Sequence, residues 1–575
     1  MRKLMDCLTN GIGTVVNVDT KKITVEVANE SILNKLKIND ITIMYGNNAD
    51  EKLIGIITKV SKKRLDVDLE IEENEEVEYS TNICSVTLVG SFYIKLGVKK
   101  TNVFKRAINT YPEINSEVYL AEGDALSIIM NSLDDTGVNH KDKLLIGKYA
   151  SNRNVSAILD GNKFFQRHAC IVGSTGSGKS FTVANILEKA NKLPYTNIIV
   201  YDLHGEYTQL SYAKQIKISD DEGLHIPLWF LKYEEIHSLF IESSEGTSTN
   251  QRAAVVDYIL KAKKEYIDDN LRDISSGIVT ADTPVPFSAH KLKEYLEIQD
   301  RKEDETGEIY KGGDNKGQKK TKKGQYNGKL TNLIMRLQTK MDDKKYGFVF
   351  NEEKTLEKEY LNNFVATIMG IDDKKIKVID LSEVPADMLS VVIGVVTRLI
   401  YDVQFWMSPQ KEETRHPVAF VCDEAHVYMS NNISKMRMVD QKALEIFEKI
   451  SKEGRKYGVA LVIVSQRPAE LNTTIISQCN NIISLKITND RDKSAVAAML
   501  TDTLTGLVDS LPNLDVGECI VVGDAMKLPI KILLDKPMEE PISSTIEFWD
   551  RWADKKQTVF EIDSAIINMI KQSRK

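Results

Sequence analysis

Apolar and polar positions change rhythm more than once along this chain. Up to about residue 145, short segments alternate apolar with polar residues: GIGTVVNVD (11–19), KITVEVAN (22–29), DITIMYG (40–46), KLIGIITKV (52–60), RLDVDLEIE (64–72) and ICSVTLVGSFYI (83–94). A period of two marks strands with one buried face, and polar or glycine-bearing turns separate the runs. The region predicts a small β-barrel or sandwich.

From about 165 to 207 the order becomes strand, loop, helix, strand. HACIVG (168–173) is an apolar run ending in glycine, KSFTVANILEKANK (179–192) carries apolar residues at helical spacing, and NIIVYDLHGEY (197–207) is a second apolar strand. This predicts the start of a parallel α/β sheet. Residues 208–376 are mostly helix-like and charged, and within them 300–329 has few apolar positions and predicts a mobile loop or linker. Strand-like runs then return at 375–381, 417–426, 458–468, 481–487 and 517–523, with 529–535 as a candidate edge strand. The α/β core is therefore expected to be interrupted by a helical insertion after its second strand. The expected division is a barrel over 1–145, the core over 146–207 and 377–540, the insertion over 208–376, and a helical tail over 541–575.

Composition narrows this picture only a little. The chain has 575 residues, a hydrophobic fraction of 42% and a net charge of −7, which argues against a uniformly basic nucleic-acid coat but allows a locally basic channel. The six cysteines form no CxxC pair, as expected of buried reduced thiols in a cytoplasmic protein. The N-terminal residues do not read as a signal peptide, and the apolar stretch Met388–Trp406, broken by Arg398 and Asp402, reads as a buried helix rather than a membrane span.

The candidate chemistry begins at GSTGSGKS, residues 173–180, which fits G-x-x-x-x-G-K-[ST] between a strand and a helix. Glycine lets successive amide N–H groups face one anion, and the helix start adds partial positive charge. The phosphates of ATP would lie against Gly173, Ser174, Thr175, Gly176, Ser177 and Gly178; Lys179 would reach the β- and γ-phosphates, and Ser180 would ligate Mg2+. The strand AFVCDEAH (419–426) ends in Asp423, suited to hold magnesium directly or through water, and Glu424, suited to polarise the attacking water. VIVSQRP (462–468) places Gln466 at a strand end, where it can sense the γ-phosphate. In this order the three point to an ATP hydrolase with a RecA-like core. YDLHGEY brings Asp202, His204 and Glu206 toward the same sheet edge, with nucleotide or subunit sensing and a purely structural role both open for the histidine. Arg455, in KEGRKYGVALV, is either solvated or an arginine finger for a neighbouring subunit.

Together GSTGSGKS, YDLHGEY, VCDEAH, EGRKYGV, VSQRP and LPNLDVGECIVVG (511–523) resemble the HerA family of DNA translocases over roughly 150–540. The resemblance implies a homohexameric ring with ATP sites between subunits and double-stranded DNA in the pore. It carries Lys179, Asp423, Glu424, Gln466 and a trans-acting Arg455 into those roles, and it adds Arg167, just before the phosphate loop. It also implies a separate effector docked on the barrel side, such as a NurA-like nuclease or a sirtuin-like NADase, in DNA-end processing or antiphage defence. The run KGQKKTKKG (316–324) has no counterpart in the resemblance and reads as a solvated loop or a DNA contact. Two other classes of function share the phosphate loop: a nucleotide-stabilised scaffold that assembles an effector, and a small-molecule kinase, which DEAH, SQRP and the arginine argue against.

Overall fold

The computed structural model describes residues 11–20, 22–46, 51–64, 80–95, 101–134, 143–220, 223–271, 273–309, 318–370, 374–407, 416–500, 502–542, 548–553 and 562–571, with Leu4 and Leu8. They form two units. One comprises Met1–Thr196, Glu424–His426 and Ala460–Pro541; the other comprises Asn197–Asp423, Val427–Val459 and Ile542–Lys575.

The first unit opens with seven strands: β1 (Gly11–Val18), β2 (Ile23–Val27), β3 (Ile41–Tyr45), β4 (Glu51–Arg64), β5 (Ser80–Lys95), β6 (Thr101–Lys105) and β7 (Glu117–Leu120). Their order is β2-β1-β7-β3-β4-β5-β6, and a further β2–β5 pairing closes six of them into a barrel with β6 extending from β5. Closure leaves those six strands without an open edge. Ile23, Val25 and Val27 alternate inward with Val15, Leu53, Ile57, Cys84 and Val86, so the period of two is the barrel core. Strands β6 and β7 are too short and polar to stand out in the sequence, and 65–72 of the expected strand at 64–72 lies outside the described residues.

Thirteen more described strands follow in chain order: β8 (Lys143–Tyr149), β9 (Asn152–Asp160), β10 (Ala169–Val172), β11 (Ile198–Asp202), β12 (Ala213–Lys217), β13 (Glu303–Ile309), β14 (Lys319–Lys323), β15 (Ile376–Asp380), β16 (Val418–Cys422), β17 (Val459–Ser465), β18 (Asn481–Ser484), β19 (Glu518–Gly523) and β20 (Lys531–Leu534). In the first unit β17, β10 and β18 run parallel. Strands β19, β20, β8 and β9 then continue the sheet antiparallel. The run at 529–535 is therefore not an edge strand: β20 lies between β19 and β8, because the distant β8–β9 hairpin covers its free side.

In the second unit β12, β15, β11 and β16 form a parallel set in that order. Strand β12 lies inside 208–376, the span expected to be mostly helical, and was not expected there; only Ala213 and Ile216 of its five residues are buried, so it carries no period-two pattern. The helix Ala386–Trp406 is long and apolar enough to cross a membrane, yet 72% of its most apolar stretch is buried within the fold. Gly394 lets it approach the helix Met438–Glu453, since a Cβ there would stand 2.7 Å from the Ala443 Cβ.

The segment 300–329 is not simply a linker. Strands β13 and β14 pair as an antiparallel hairpin, with Lys319 bonded to Glu305 at 2.7 Å and Lys320 to Glu308 at 3.0 Å. Low apolar content hid it, because charge pairing rather than burial sets its register. Residues 310–317, including Lys316, lie outside the described residues. Cys84, Cys170, Cys422, Cys479 and Cys519 are buried thiols that form no disulfide among the described residues.

Candidate nucleotide-hydrolysis site

The phosphate loop joins β10 to the helix Lys179–Asn191, capped at its start by Gly178. Gly178 has φ 101°, a conformation that costs other residues about 1–2 kcal/mol. Gly173 meets a different demand: a Cβ there would stand 2.5 Å from the Ser177 hydroxyl. Backbone bonds from Ser174 N to Lys486 O and from Ser177 N to Ser174 O hold the loop at 2.8 and 3.2 Å. Ser177 Oγ is buried without a hydrogen-bond partner among the described residues. The Lys179 ammonium donates to the carbonyls of Gly173 and Ser174 at 3.1 and 3.2 Å, folded over the concavity it would share with phosphate. Ser180 lies in the first turn of the helix.

Four side chains meet over this loop. Gln466 donates through Nε2 to Oε1 of Glu424, and its Oε1 accepts from the Thr175 hydroxyl at 2.5 Å. On the other side, His426 Nδ1 lies 3.2 Å from Oε2 of Glu424 and 3.4 Å from Ser465 Oγ. Glu424 is only 7% exposed. Burial alone raises its pKa, but hydrogen bonds from His426 and Gln466 and the charge of Lys179 outweigh that and hold the carboxyl below its usual range. The group is therefore an acceptor at neutral pH, as a base for water must be. Its φ of 43° is left-handed, a strained conformation for a residue that carries a side chain.

The first unit thus brings together the loop residues 173–180, Glu424 and Gln466. Arg167 belongs to the same unit but is ion-paired with Asp524, and its carbonyl accepts from Asn480 N at 3.0 Å. The other predicted residues lie in the second unit. Asp423 follows β16 and is buried, its carbonyl accepting from the Tyr428 hydroxyl at 3.0 Å. Asp202 is fully buried and accepts from the backbone N–H groups of Glu206 and Tyr207, each at 2.9 Å, so its carboxylate caps its own turn. Burial raises its pKa, against those backbone bonds. His204 is exposed and Glu206 half-buried. Arg455 is exposed in the turn Gly454–Tyr457, its guanidinium unpaired among the described residues.

Beside the helix start, Gly178, Phe181, Val516, Gly517, Leu534 and Lys536 line a pocket of about 200 Å³. Residues 144–400 match the family model of the HerA helicase central domain. Over that stretch this chain is similar to the HerA-type P-loop ATPases. The "Probable helicase MJ1565" of Methanocaldococcus jannaschii is 24% identical over 85% of this chain and 85% of that protein. The "DNA double-strand break repair helicase HerA" of Saccharolobus solfataricus is 28% identical over 68% and 67% respectively, and that of Pyrococcus furiosus 25% over 87% and 86%. Among solved structures, VirB4 of Thermoanaerobacter pseudethanolicus has a TM-score of 0.44 at 18% identity, over 69% of this chain and 97% of that chain.

Two features of this site escaped the sequence. His426 stands in the quoted strand-end motif but was not singled out, since one histidine carries no periodic signal. The contact of Thr175 with Gln466 spans 291 positions and has no local signature.

Proposed function

We propose that this protein is an ATP-driven motor on double-stranded DNA, working as a homohexameric ring with a separate effector, a nuclease or NADase, in DNA-end processing or antiphage defence. The observation that carries the hydrolytic part is the contact of Glu424 with Gln466 above the phosphate loop. Its chemistry is in-line displacement. The water oxygen bonds to the γ-phosphorus while its proton passes to Glu424, and the bond to the β,γ-bridging oxygen breaks, leaving its electron pair on ADP. Lys179 meets the β- and γ-phosphates, Gln466 registers the γ-phosphate, Arg455 supplies charge to a neighbouring copy's phosphates, and the base enters the pocket beside Phe181.

Magnesium fits the donors present. The described residues contain no cluster of three or more His, Cys, Asp or Glu side chains able to hold a metal. The ion would draw most of its oxygens from phosphates and water, as Mg2+ commonly does, with the Ser180 hydroxyl of the first unit as a protein ligand. Bound there, it would neutralise charge on the phosphates.

Glu424→Gln is the direct test. An amide cannot take the proton, so turnover should fall about 10²- to 10⁴-fold while a fluorescent ATP analogue still binds. Near-normal turnover moves the base elsewhere. Wild-type ATPase should rise with duplex DNA and drive directional movement. Without either, even with its effector present, the scaffold reading replaces the motor.

A further inference from the structure

We propose that Thr175 is a positioning residue for hydrolysis, setting the place of the Glu424 carboxylate through the side-chain amide of Gln466. The proposal rests on the reading of Glu424 as the group that takes the water's proton.

The argument follows from the polarity of an amide. Gln466 has one acceptor end and one donor end. An ionised carboxylate only accepts, so Glu424 must face the nitrogen, as it does. That leaves Oε1 pointing at Thr175, 2.5 Å from its hydroxyl. Because Oε1 only accepts, the hydroxyl must donate. The result is a one-directional chain of hydrogen bonds running from the loop that cradles phosphate to the carboxylate. No member can turn without breaking a bond.

The rest of the environment leaves this end of the amide to Thr175. His426 stands at the other oxygen of Glu424, 3.2 Å away, beside Ser465, whose hydroxyl accepts from Arg467 N at 3.0 Å. One side of the carboxylate is thus bounded by groups anchored near β17. The other side depends on a glutamine with three rotatable bonds, and the Thr175 hydroxyl is what pins its far end. Displacing a reacting group by about 1 Å can cost 10²-fold in rate. Thr175 is exposed, and the loop backbone is held by Ser174 and Ser177 independently of its side chain. The hydroxyl can therefore be removed without opening a core.

Thr175→Val keeps the shape and removes the donor; Thr175→Ser keeps the donor. In the full chain, Thr175→Val should lower kcat about 10- to 100-fold, with KM and the Kd for a fluorescent ADP analogue changed less than about threefold. Thr175→Ser should stay within about threefold of wild type on all counts. In single turnover, adding Thr175→Val to Glu424→Gln should cost nothing further, because its effect runs through Glu424. The proposal is overturned by an unchanged kcat in Thr175→Val, by equal losses in the Val and Ser variants, by a loss confined to KM and Kd, or by full additivity with Glu424→Gln. An active Glu424→Gln would instead sink the assignment of the base, whereas an inactive one beside a normal Thr175→Val sinks only the positioning role.

Discussion

Glu424 receives a hydrogen bond from the Gln466 amide while its own backbone sits in the left-handed region, φ 43°. Natural backbones hold such strain where the side chain it aims is needed. Replacing Glu424 by Gly or by Ala removes the same carboxylate, but only Gly relieves the backbone. We expect Glu424→Gly to be the more stable of the two by about 1 kcal/mol, after allowing for the greater freedom of glycine in the unfolded chain. Denaturant midpoints of the two inactive variants measure it, and a more stable Ala variant would mean that the strain is not felt.

Lys263 is buried in the helical insertion, donating to the carbonyls of Ala281 and Thr283, each at 2.6 Å. Burial pulls its pKa down to about 8. Between pH 8 and the unfolded value of 10.5 the unfolded chain binds the extra proton, so this group makes the fold more stable as pH rises through that window. Below pH 8 its full cost is present. Wild type should therefore gain stability relative to Lys263→Met across that interval, by at most about 3 kcal/mol. Parallel denaturant titrations at several pH values check the slope, and a flat difference would refute it.

Arg455 is exposed and its guanidinium has no partner among the described residues, as a group waiting for another copy's phosphate would be. Arg455→Ala and Lys179→Ala should each be nearly inactive alone. Mixed, they should recover part of the activity, because some interfaces then pair an intact loop with an intact arginine. The mass of the wild-type assembly should correspond to six copies. No recovery on mixing would remove the trans role.

The lysine-rich strand β14 lies against the acidic strand β13 of its own hairpin. Lys319 and Lys320 are paired with Glu305 and Glu308 on an exposed surface, where such pairs contribute little to stability and leave little net positive charge. Replacing Lys319, Lys320, Lys322 and Lys323 by Gln should leave DNA affinity and the salt slope of binding unchanged. A slope shallower by several units would make the hairpin a DNA contact after all.

Much of the fold is legible locally. Ile23, Val25 and Val27 announce an inward face by period alone, and the alternation around them needs only a closed sheet to satisfy it. The phosphate loop is equally plain, since Gly173 and Gly178 answer demands of close approach and backbone sign that no other residue meets as well. Strands β6, β7 and β12 were not legible, because four or five residues with polar neighbours carry too short a pattern. The predicted carboxylates divide in the same way. Glu424 joins the loop in one unit, while Asp202, grouped with the site by its place at a strand end, spends its carboxylate on the N–H groups of Glu206 and Tyr207.

The sequence by itself determined the strand–loop–helix that cradles phosphate, the acidic strand end and the barrel's alternation, because each depends on neighbours within a few positions. Only the tertiary structure decided that β20 is an inner strand, that β13 and β14 pair through charge, and that Glu424 is held between Gln466 and His426 with Thr175 behind the amide. Apart from the nearby His426, those outcomes join residues from 12 to hundreds of positions apart. Hydrogen bonds and ion pairs of that reach leave no periodic trace in the chain, since any of several polar residues could have supplied them until the backbone brought these together.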